Sequence, residues 1–444
     1  MFKPSLCSGT ARLVPDLEEN LSLNRLRAFV VFFVVIGIVS VFGGVAGAGF
    51  DPQPTGKGDG TLTIGQLAPQ TGSLSSIAPS LTTPVTTAID EINAAGGVFG
   101  QPVSYSVAND GDKPDIALGS LEMLLEGGRA DAIMGPASSG VMLGMLDDAR
   151  AAHVLMCSGS NTSSDLSTAN SGGYYFRTAP SDRLQGPALA KLVLRDHHKR
   201  VAILDRSDPE NRVALGVALR KTLTRGGVKT VADVAFDPDA TSFDSYVEKV
   251  AAGKPDAVVV LGDETDNDVV KALIDKGLGP QQVPMYVPDA MRTNSFASAV
   301  DPNNPGAVAG IKGTSPAAAP AGVHNPFPET FAATGVAPIF SAYYYDCTIL
   351  TALAAEKAKS DDPARIKDVF AANTRGKNKC NTYAACKTLL DEGKTIEYQG
   401  ASAVFPHMNK FGRFEPDAGV YEIWSFDDAG RDIVQPTDPQ IRIG

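Results

Sequence analysis

Residues 131–164 read DAIMGPASSGVMLGMLDDARAAHVLMCSGSNTSS, with a short apolar stretch on each side of a longer mixed one. DAIM and HVLM have the length and composition of buried strands, and VMLGMLDDARAA has those of a helix. A strand, a helix and a second strand in this order predict a βαβ unit, in which the two strands lie parallel in one sheet. A turn rich in hydroxyl side chains follows each predicted strand.

The same alternation of short strands and helices continues along the chain in two series. The first runs from TLTIGQLAP (61–69) to YYFRTA (174–179), and the second from QGPALAKLVLRDHH (185–198) to VPMYVPD (283–289). The two series break near residues 178–182. We therefore predict an α/β protein with two lobes, each a mainly parallel sheet flanked by helices.

Length and charge narrow the class of partner. The chain has 444 residues, 43% of them hydrophobic and 20% charged, which suffices for two domains with sizeable cores. Its net charge of −11 disfavours nucleic acid and anionic membrane surfaces, because both attract basic patches. This net charge is compatible with a small-molecule ligand.

Residues 1–60 are predicted to be an export segment followed by a linker. Arg25 and Arg27 precede the uncharged apolar run 28–45, and the small residues AGAGF come next, in the order typical of a signal peptide. An uncleaved anchor is the alternative, because an 18-residue helix spans about 27 Å. Both alternatives predict an exported protein, either secreted or tethered to the cell membrane by residues 28–45 alone.

The cysteines predict one disulfide and no metal site. Cys380 and Cys386, in KCNTYAAC, can close a small loop in an exported protein. A zinc site is the weaker alternative, because no second pair of thiols or histidine cluster accompanies them. Cys157 and Cys347 are expected to be buried free thiols, with a disulfide between them as the alternative. No cofactor is predicted.

Four loops are predicted to meet at one edge of the sheets. In open parallel sheets a ligand binds beyond the carboxyl ends of the strands. The loops that follow predicted strands are LAPQTGS (67–73), GPASSG (135–140), CSGSNTSS (157–164) and VPDA (287–290). Three are rich in hydroxyl groups and the fourth carries a carboxylate, so we expect a polar binding site there.

Several stretches resemble, in the same order, the type I periplasmic solute-binding proteins of the leucine/isoleucine/valine-binding branch, which serve ABC importers. These are AIDEINAAGGVFGQPV (88–103), IMGPASSGV (133–141), VLMCSGSNT (154–162), YYFRTAPSDRLQGPALAKLV (174–193), YQGAS (398–402) and YEIWSFDD (421–428). The resemblance implies a two-lobe type I fold joined by a hinge. It assigns residues 61–181 and 313–405 to the first lobe and residues 182–312 and 406–444 to the second.

The resemblance also implies binding roles for individual residues. Ser139 would hold the carboxylate of an amino acid, with Ser160 and Thr162 beside it, and Asp289 would take the ammonium group. Asp182 matches a cleft position near the crossover between lobes. The alternative for Ser139 and Asp182 is helix capping, and for Asp289 a solvated loop acid.

Departures from the family pattern concern the second lobe. The stretch DRSDPENRV (205–213) lacks the aromatic residue that covers the ligand in relatives, and Asp263 and Glu264 stand where others have tyrosines. We expect these two acids to be surface charges, with ligand contact as the alternative. Tyr343, or one of the two tyrosines after it, could replace the missing aromatics, with packing in the core as the alternative.

The function predicted is capture of an amino acid, or a related amide or urea-like compound, for an ABC importer by hinge closure. Its partners would be that small molecule and the transporter permease. A membrane-anchored sensor of the same fold is the alternative. An enzyme is disfavoured, because no GxSxG, HExxH or Cys/His constellation occurs and the chain has only five histidines.

Overall fold

The computed structural model of the chain describes residues 58–126, 129–207, 213–402, 406–408, 413–434 and 439–444. The apolar run 28–45 and almost all of the predicted export segment lie outside these residues. Over the ranges that the structure describes, no helix is both long and apolar enough to cross a membrane. Residues 50–444 form one unit by their internal contacts, and the description below concerns this unit.

Strands and helices alternate along the unit. The strands are β1 (Thr63–Ala68), β2 (Ser104–Asn109), β3 (Ala132–Met134), β4 (Leu155–Ser158), β5 (Tyr175–Arg177), β6 (Arg200–Arg206), β7 (Lys229–Phe236), β8 (Ala257–Leu261), β9 (Met285–Val287), β10 (Lys312–Pro316), β11 (Asn378–Cys380), β12 (Ile396–Tyr398), β13 (Pro406–Met408), β14 (Phe414–Pro416), β15 (Gly419–Phe426), β16 (Asp432–Val434) and β17 (Ile441–Ile443). The α-helices are α1 (Ala78–Ala94), α2 (Pro114–Glu126), α3 (Ser139–Ala151), α4 (Asp182–Arg195), α5 (Val213–Arg225), α6 (Asp244–Ala252), α7 (Asn267–Asp275), α8 (Phe296–Val300), α9 (Phe327–Ala332), α10 (Ser341–Ala358), α11 (Pro363–Val369) and α12 (Tyr383–Asp391).

The first lobe contains a sheet in the order β13-β14-β5-β4-β3-β1-β2. Strands β1 to β5 pair in parallel, and only β13 runs antiparallel to its neighbour. The predicted βαβ unit is present as β3, α3 and β4. Both apolar strands of this unit are completely buried, because helices cover the two faces of the sheet.

The second lobe contains a sheet in the order β16-β15-β10-β9-β8-β6-β7, and β17 also pairs with β15. Strands β6 to β10 are parallel, whereas β15 pairs antiparallel with β10. Apolar clusters lie on both faces of this sheet as well. The predicted fold class, two lobes of mainly parallel sheet flanked by helices, is confirmed.

Two of the predicted lobe boundaries are wrong by a few residues. Residues 313–316 were assigned to the first lobe, but β10 pairs with β9 and β15 in the sheet of the second. The stretch 406–416 was assigned to the second lobe, but β14 pairs with β5 in the first. Backbone pairing over a long sequence separation fixes these crossovers, and local sequence carries no sign of it.

Helix α10 is the central buried helix of the first lobe. Sixteen of its 18 residues are buried, as expected for a helix surrounded by other elements on every side. Cys347 on α10 forms a disulfide with Cys157 on β4, across 5.8 Å between the Cα atoms. The expectation of free thiols at these positions is therefore wrong. The structure also contains the disulfide between Cys380 and Cys386, the pair that the sequence favoured.

Candidate functional site

A cavity of about 120 Å³ lies between the lobes, at the carboxyl ends of the parallel strands. Cavities of this size admit one small organic molecule. Residues of all four predicted loops, or positions directly after them, contribute to its wall. Of the six residues proposed to bind ligand, five line it: Ser139, Ser160, Thr162, Asp182 and Asp289.

The polar wall on the first lobe begins at the amino end of α3. Ser138 caps the helix, accepting a hydrogen bond from the backbone N–H of Val141 at 3.5 Å. Ser139 is the first helical residue, and its hydroxyl accepts a hydrogen bond from the N–H of Ser163 at 3.2 Å. The capping role is therefore filled by Ser138. The exposed N–H groups and the helix dipole make this wall suited to an anionic group.

A glycine makes the turn before α3 possible. Gly135 has φ of +105°, and a Cβ at this position would lie 2.3 Å from the carbonyl oxygen of Leu67. Only glycine fits so close to strand β1 in this conformation. The GPASSG loop therefore passes directly over the end of β1, which brings Ser139 to the cavity.

The stretch after β4 divides into residues that hold the loop and residues that face the cavity. Ser158 and Asn161 are fully buried and bond to backbone carbonyls of the 135–140 loop, including Asn161 Nδ2 to Ala137 O at 2.9 Å. Ser160 and Thr162 face the cavity, and the Ser160 hydroxyl also donates to Ala137 O at 2.8 Å. Ser158 and Asn161 thus hold the loop in place, whereas Ser160 and Thr162 line the cavity.

Arg177 holds this loop from behind and was not identified from the sequence. Its side chain is 1% exposed, and Nη1 donates to the carbonyl oxygens of Asn161 and Ser163 at 3.2 and 2.7 Å. The guanidinium also forms an ion pair with Glu415 on β14. Its place in YYFRTA, at the end of a predicted strand, was the only signal available.

Two carboxylates of the second lobe face this wall. Asp289 lies in a 3-10 turn directly after β9 and is 6% exposed. Asp182 is 5% exposed, and its N–H donates to the carbonyl oxygen of Thr162 at 2.9 Å at the first crossover between lobes. The N-cap of α4 is Ser181, so the alternative capping role for Asp182 does not hold.

Asp263 and Glu264 also line the cavity, so the expectation that they are surface charges is wrong. Strand β8 ends two residues earlier and directs them to the same edge as Asp289. Arg206 pairs with Asp263 at 2.8 Å. The hydroxyl of Ser73, in the first lobe, lies within hydrogen-bond distance of Glu264 at 3.3 Å and joins the two lobes across the cleft.

Arg292 completes the wall of the second lobe and was also missed. It is 4% exposed, and it contacts Glu422 at 2.6 Å and Asp432 at 2.8 Å. Burial opposes its charge, but these two carboxylates raise its pKa above the ordinary value for arginine. Glu422 and Asp432 belong to strands β15 and β16, which are far from Arg292 in the sequence, so no local motif predicts this cluster.

Tyr343 does not line the cavity. It is completely buried within α10, and burial raises the pKa of its hydroxyl well above the usual range. Ile339 and Phe340, directly before the helix, contribute the wall instead. Phe340 has φ of +57°, a left-handed conformation that turns the chain into α10 and leaves position 343 facing the core.

The arrangement can hold a small zwitterion. N–H and hydroxyl groups of the first lobe suit a carboxylate, and the acids of the second lobe suit a cation, while Leu74, Ile77, Ile339 and Phe340 form an apolar side. Within the described ranges, no cluster of three or more His, Cys, Asp or Glu residues could hold a metal ion.

Comparisons with known proteins agree with this architecture. A family model described as periplasmic binding protein matches residues 61–378. The Leu/Ile/Val-binding protein BraC3 of Rhizobium johnstonii is 30% identical over 202 residues, which are 45% of this chain and 54% of that relative. The chain thus matches about half the length of BraC3.

Two further proteins cover more of the chain. The chemotactic signal transduction system substrate-binding protein BasB of Halobacterium salinarum is 27% identical over 378 residues, 83% of this chain and 88% of BasB. The substrate binding protein LivJ of Streptococcus pneumoniae, solved with isoleucine, has a TM-score of 0.65 at 20% identity and covers 86% of this chain and 99% of its own, a likeness in fold. The fold is that of the type I periplasmic binding proteins, and the chain belongs to the periplasmic binding protein family whose model it matches.

Proposed function

We propose that the protein binds an amino acid, or a closely related small polar molecule, in the cavity between its lobes and delivers it to an ABC importer. The observation that supports this most is that two walls of opposite chemical character line the cavity. Hydroxyl and N–H groups at the start of α3 face the carboxylates of Asp182 and Asp289. Burying either charge of a zwitterion without a partner costs several kcal/mol, so a site with both kinds of partner selects such a ligand.

The place of each residue in the cavity wall suggests the part of the ligand that it binds. Ser139 and Thr162 bind the carboxylate together with N–H groups of the first turn of α3, and Ser160 lies beside them. Asp289 binds the ammonium group, and Asp182 lies at the crossover on which the lobes pivot. The ligand contacts both lobes, so it stabilises the closed form.

Among the residues that the structure describes, two polar contacts join the lobes at the mouth of the cleft. One is the Ser73–Glu264 contact, and in the other Asn294 Nδ2 donates to the carbonyl oxygen of Ser76 at 3.3 Å. Both are partly or fully exposed, so each contributes less than about 1 kcal/mol. The ligand therefore supplies most of the free energy of closure, and the closed surface is what a permease would recognise.

The test is calorimetric titration of the purified exported protein with the common amino acids and their amides. Ser139→Ala and Thr162→Ala should each weaken binding about tenfold or more, the loss of one hydrogen bond to a charged group. Thr224→Ala, on the exposed surface of α5, is the matched control and should bind as the wild type does. Unchanged affinity in both site variants would place the ligand elsewhere.

Ligand sensing is the second candidate function. BasB, which is named as part of a chemotactic signal transduction system, aligns over 83% of this chain. Uptake of the ligand should fall when this gene is deleted if the protein delivers to an importer. Normal uptake together with lost chemotaxis toward the ligand would favour the sensor instead.

A further inference from the structure

The Thr162 turn, residues 161–163, is held at each of its three carbonyl groups. Arg177 Nη1 donates to the first and the third of these oxygens, at 3.2 and 2.7 Å. The second, the carbonyl oxygen of Thr162 itself, accepts the N–H of Asp182 at 2.9 Å. The backbone on both sides of the Thr162 side chain is therefore fixed, and so is the place of that side chain in the cavity wall.

The two residues that hold the Thr162 turn stand at the two ends of the first crossover between lobes. Arg177 is the last residue of β5, in the sheet of the first lobe. Asp182 is the first residue of α4, which packs in an apolar cluster of the second lobe. Only residues 178–181 lie between them. A rotation of α4 relative to β5 would therefore stretch or break bonds that hold the turn.

The other edge of the Arg177 guanidinium reaches a second crossover. Nε donates to Glu415 Oε2 at 3.1 Å, and Nη2 contacts the same oxygen and donates to the Ser167 hydroxyl at 2.8 Å. Glu415 lies in β14, which pairs with β5 in the first lobe. Strand β15 of the second lobe begins at Gly419, so residues 417 and 418 connect the lobes there. One guanidinium thus joins the turn to both crossovers.

The chemistry of arginine is what permits this double attachment. The Arg177 side chain is 1% exposed and that of Glu415 is 13% exposed, so their charges are largely shielded from water. Hydrogen bonds between charged groups are about twice as strong as neutral ones. A guanidinium presents its donors in a rigid planar fork, whereas the ammonium group of lysine is a single point. A lysine at position 177 could keep the charge but could not bond to the turn and to Glu415 together.

We propose that Arg177 is a positioning residue that couples ligand binding at the Thr162 turn to closure of the lobes. The inference rests on the proposed function, because it takes the Thr162 hydroxyl as a ligand contact. Arg177 does not line the cavity, so its effect on the ligand passes through the turn. A ligand bonded to the turn favours the arrangement in which Asp182 and Glu415 also keep their bonds. The lobes are in contact across the cleft in this arrangement.

The experiment is a double-mutant cycle in ligand binding between Thr162→Ala and Glu415→Gln. Glu415→Gln keeps the length of the side chain and an acceptor oxygen but removes the charge that pairs with Arg177. The probe is whichever common L-amino acid binds the wild type most tightly in calorimetric titration of the purified exported protein. Glu415→Gln alone should raise the dissociation constant about fivefold or more. Thr162→Ala should cost about tenfold in the wild type but less than about threefold in Glu415→Gln, because residues of one network are not additive.

Glu356→Gln is the matched control for loss of a buried acid. Glu356 is 2% exposed, pairs with Lys387 at 3.2 Å and lies on α10, about four helical turns beyond Phe340 at the cavity. Its loss should lower stability in urea unfolding, as Glu415→Gln does. The cost of Thr162→Ala should nevertheless remain about tenfold in this background, since sites far apart and without shared partners add.

Arg177→Lys is the second variant, and it should bind the amino acid as weakly as Glu415→Gln. Wild-type affinity in Arg177→Lys would overturn the inference. Additive effects of Thr162→Ala and Glu415→Gln would also overturn it, because a merely structural role of the ion pair predicts additivity, and amino-acid binding would stand. Unchanged affinity in Thr162→Ala, or no binding of any common amino acid, would overturn the proposed function and the inference with it.

Discussion

The disulfide between Cys157 and Cys347 should contribute far more stability than the one between Cys380 and Cys386. In the chain-entropy description, a crosslink stabilises by restricting the unfolded chain, and its effect grows with the length of the closed loop. The two loops have sequence separations of 190 and 6 residues. The corresponding contributions are about 5 and about 2 kcal/mol at 25 °C.

The perturbation is a pair of double variants, Cys157→Ala/Cys347→Ala and Cys380→Ala/Cys386→Ala. All four side chains are buried, so both variants delete the same atoms from an interior and each serves as the control for the other. Urea unfolding at neutral pH, followed by far-ultraviolet circular dichroism, gives the free energy of unfolding. The first variant should lose about 3 kcal/mol more than the second.

Two results would refute this reasoning. Equal losses in both variants would show that loop length does not govern the stabilisation. Alkylation of Cys157 and Cys347 in the unfolded wild type, without a reducing agent, would show that the bond does not form in the exported protein. The first variant should also bind ligand more weakly, because the bond holds β4 against α10, and Ser160 lies in the turn directly after β4.

Two further predictions concern a half-buried acid and a close backbone contact. Burial, partly opposed by a hydrogen bond from the N–H of Thr63, raises the pKa of Asp131 to about 8, so the folded state holds a proton that the unfolded state releases at lower pH. Stability should therefore fall as pH rises from about 4 to 8, by about 1–2 kcal/mol after solvent screening, and Asp131→Asn should flatten this trend in urea titrations at several pH values. Gly159→Ala would place a Cβ 2.5 Å from the backbone nitrogen of Tyr344, so the loop must move away from α10. We expect a loss of about 2 kcal/mol or more and weaker ligand binding by calorimetry, and wild-type behaviour in both assays would contradict this contact.

Local patterns predicted the wall of the first lobe well. Residues Ala132–Ser158 follow the rule that a short apolar strand, a hydroxyl-rich turn and a helix form a βαβ unit. The turn after β3 and the turn after β4 must then lie side by side, because their strands are neighbours in the sheet. Ser139, Ser160 and Thr162 reach the cavity because these turns are neighbours and because Gly135 lets the first of them pass over the end of β1.

Long-range pairing explains most of what sequence did not reveal. Arg292 meets Glu422 and Asp432 only because β15 and β16 return to the second lobe after the chain has passed through the first. The same crossovers between lobes are the reason why two of the predicted lobe boundaries are wrong. Tyr343 was assigned to the site by its type, but one left-handed residue, Phe340, sets the direction in which α10 begins.

The two walls therefore differ in what fixes their chemistry. Backbone N–H groups at the start of α3 come with the fold itself, and any ligand that shares a carboxylate can use them. The acids of the second lobe are side chains at the ends of β8 and β9, positions that a substitution can change without disturbing a sheet. Selectivity among amino acids should thus reside in Asp263, Glu264 and their neighbours, and exchanging these two acids for tyrosines should shift preference toward apolar side chains while Ser139 continues to hold the carboxylate. Retention of the original preference in that variant would show that the first lobe discriminates instead.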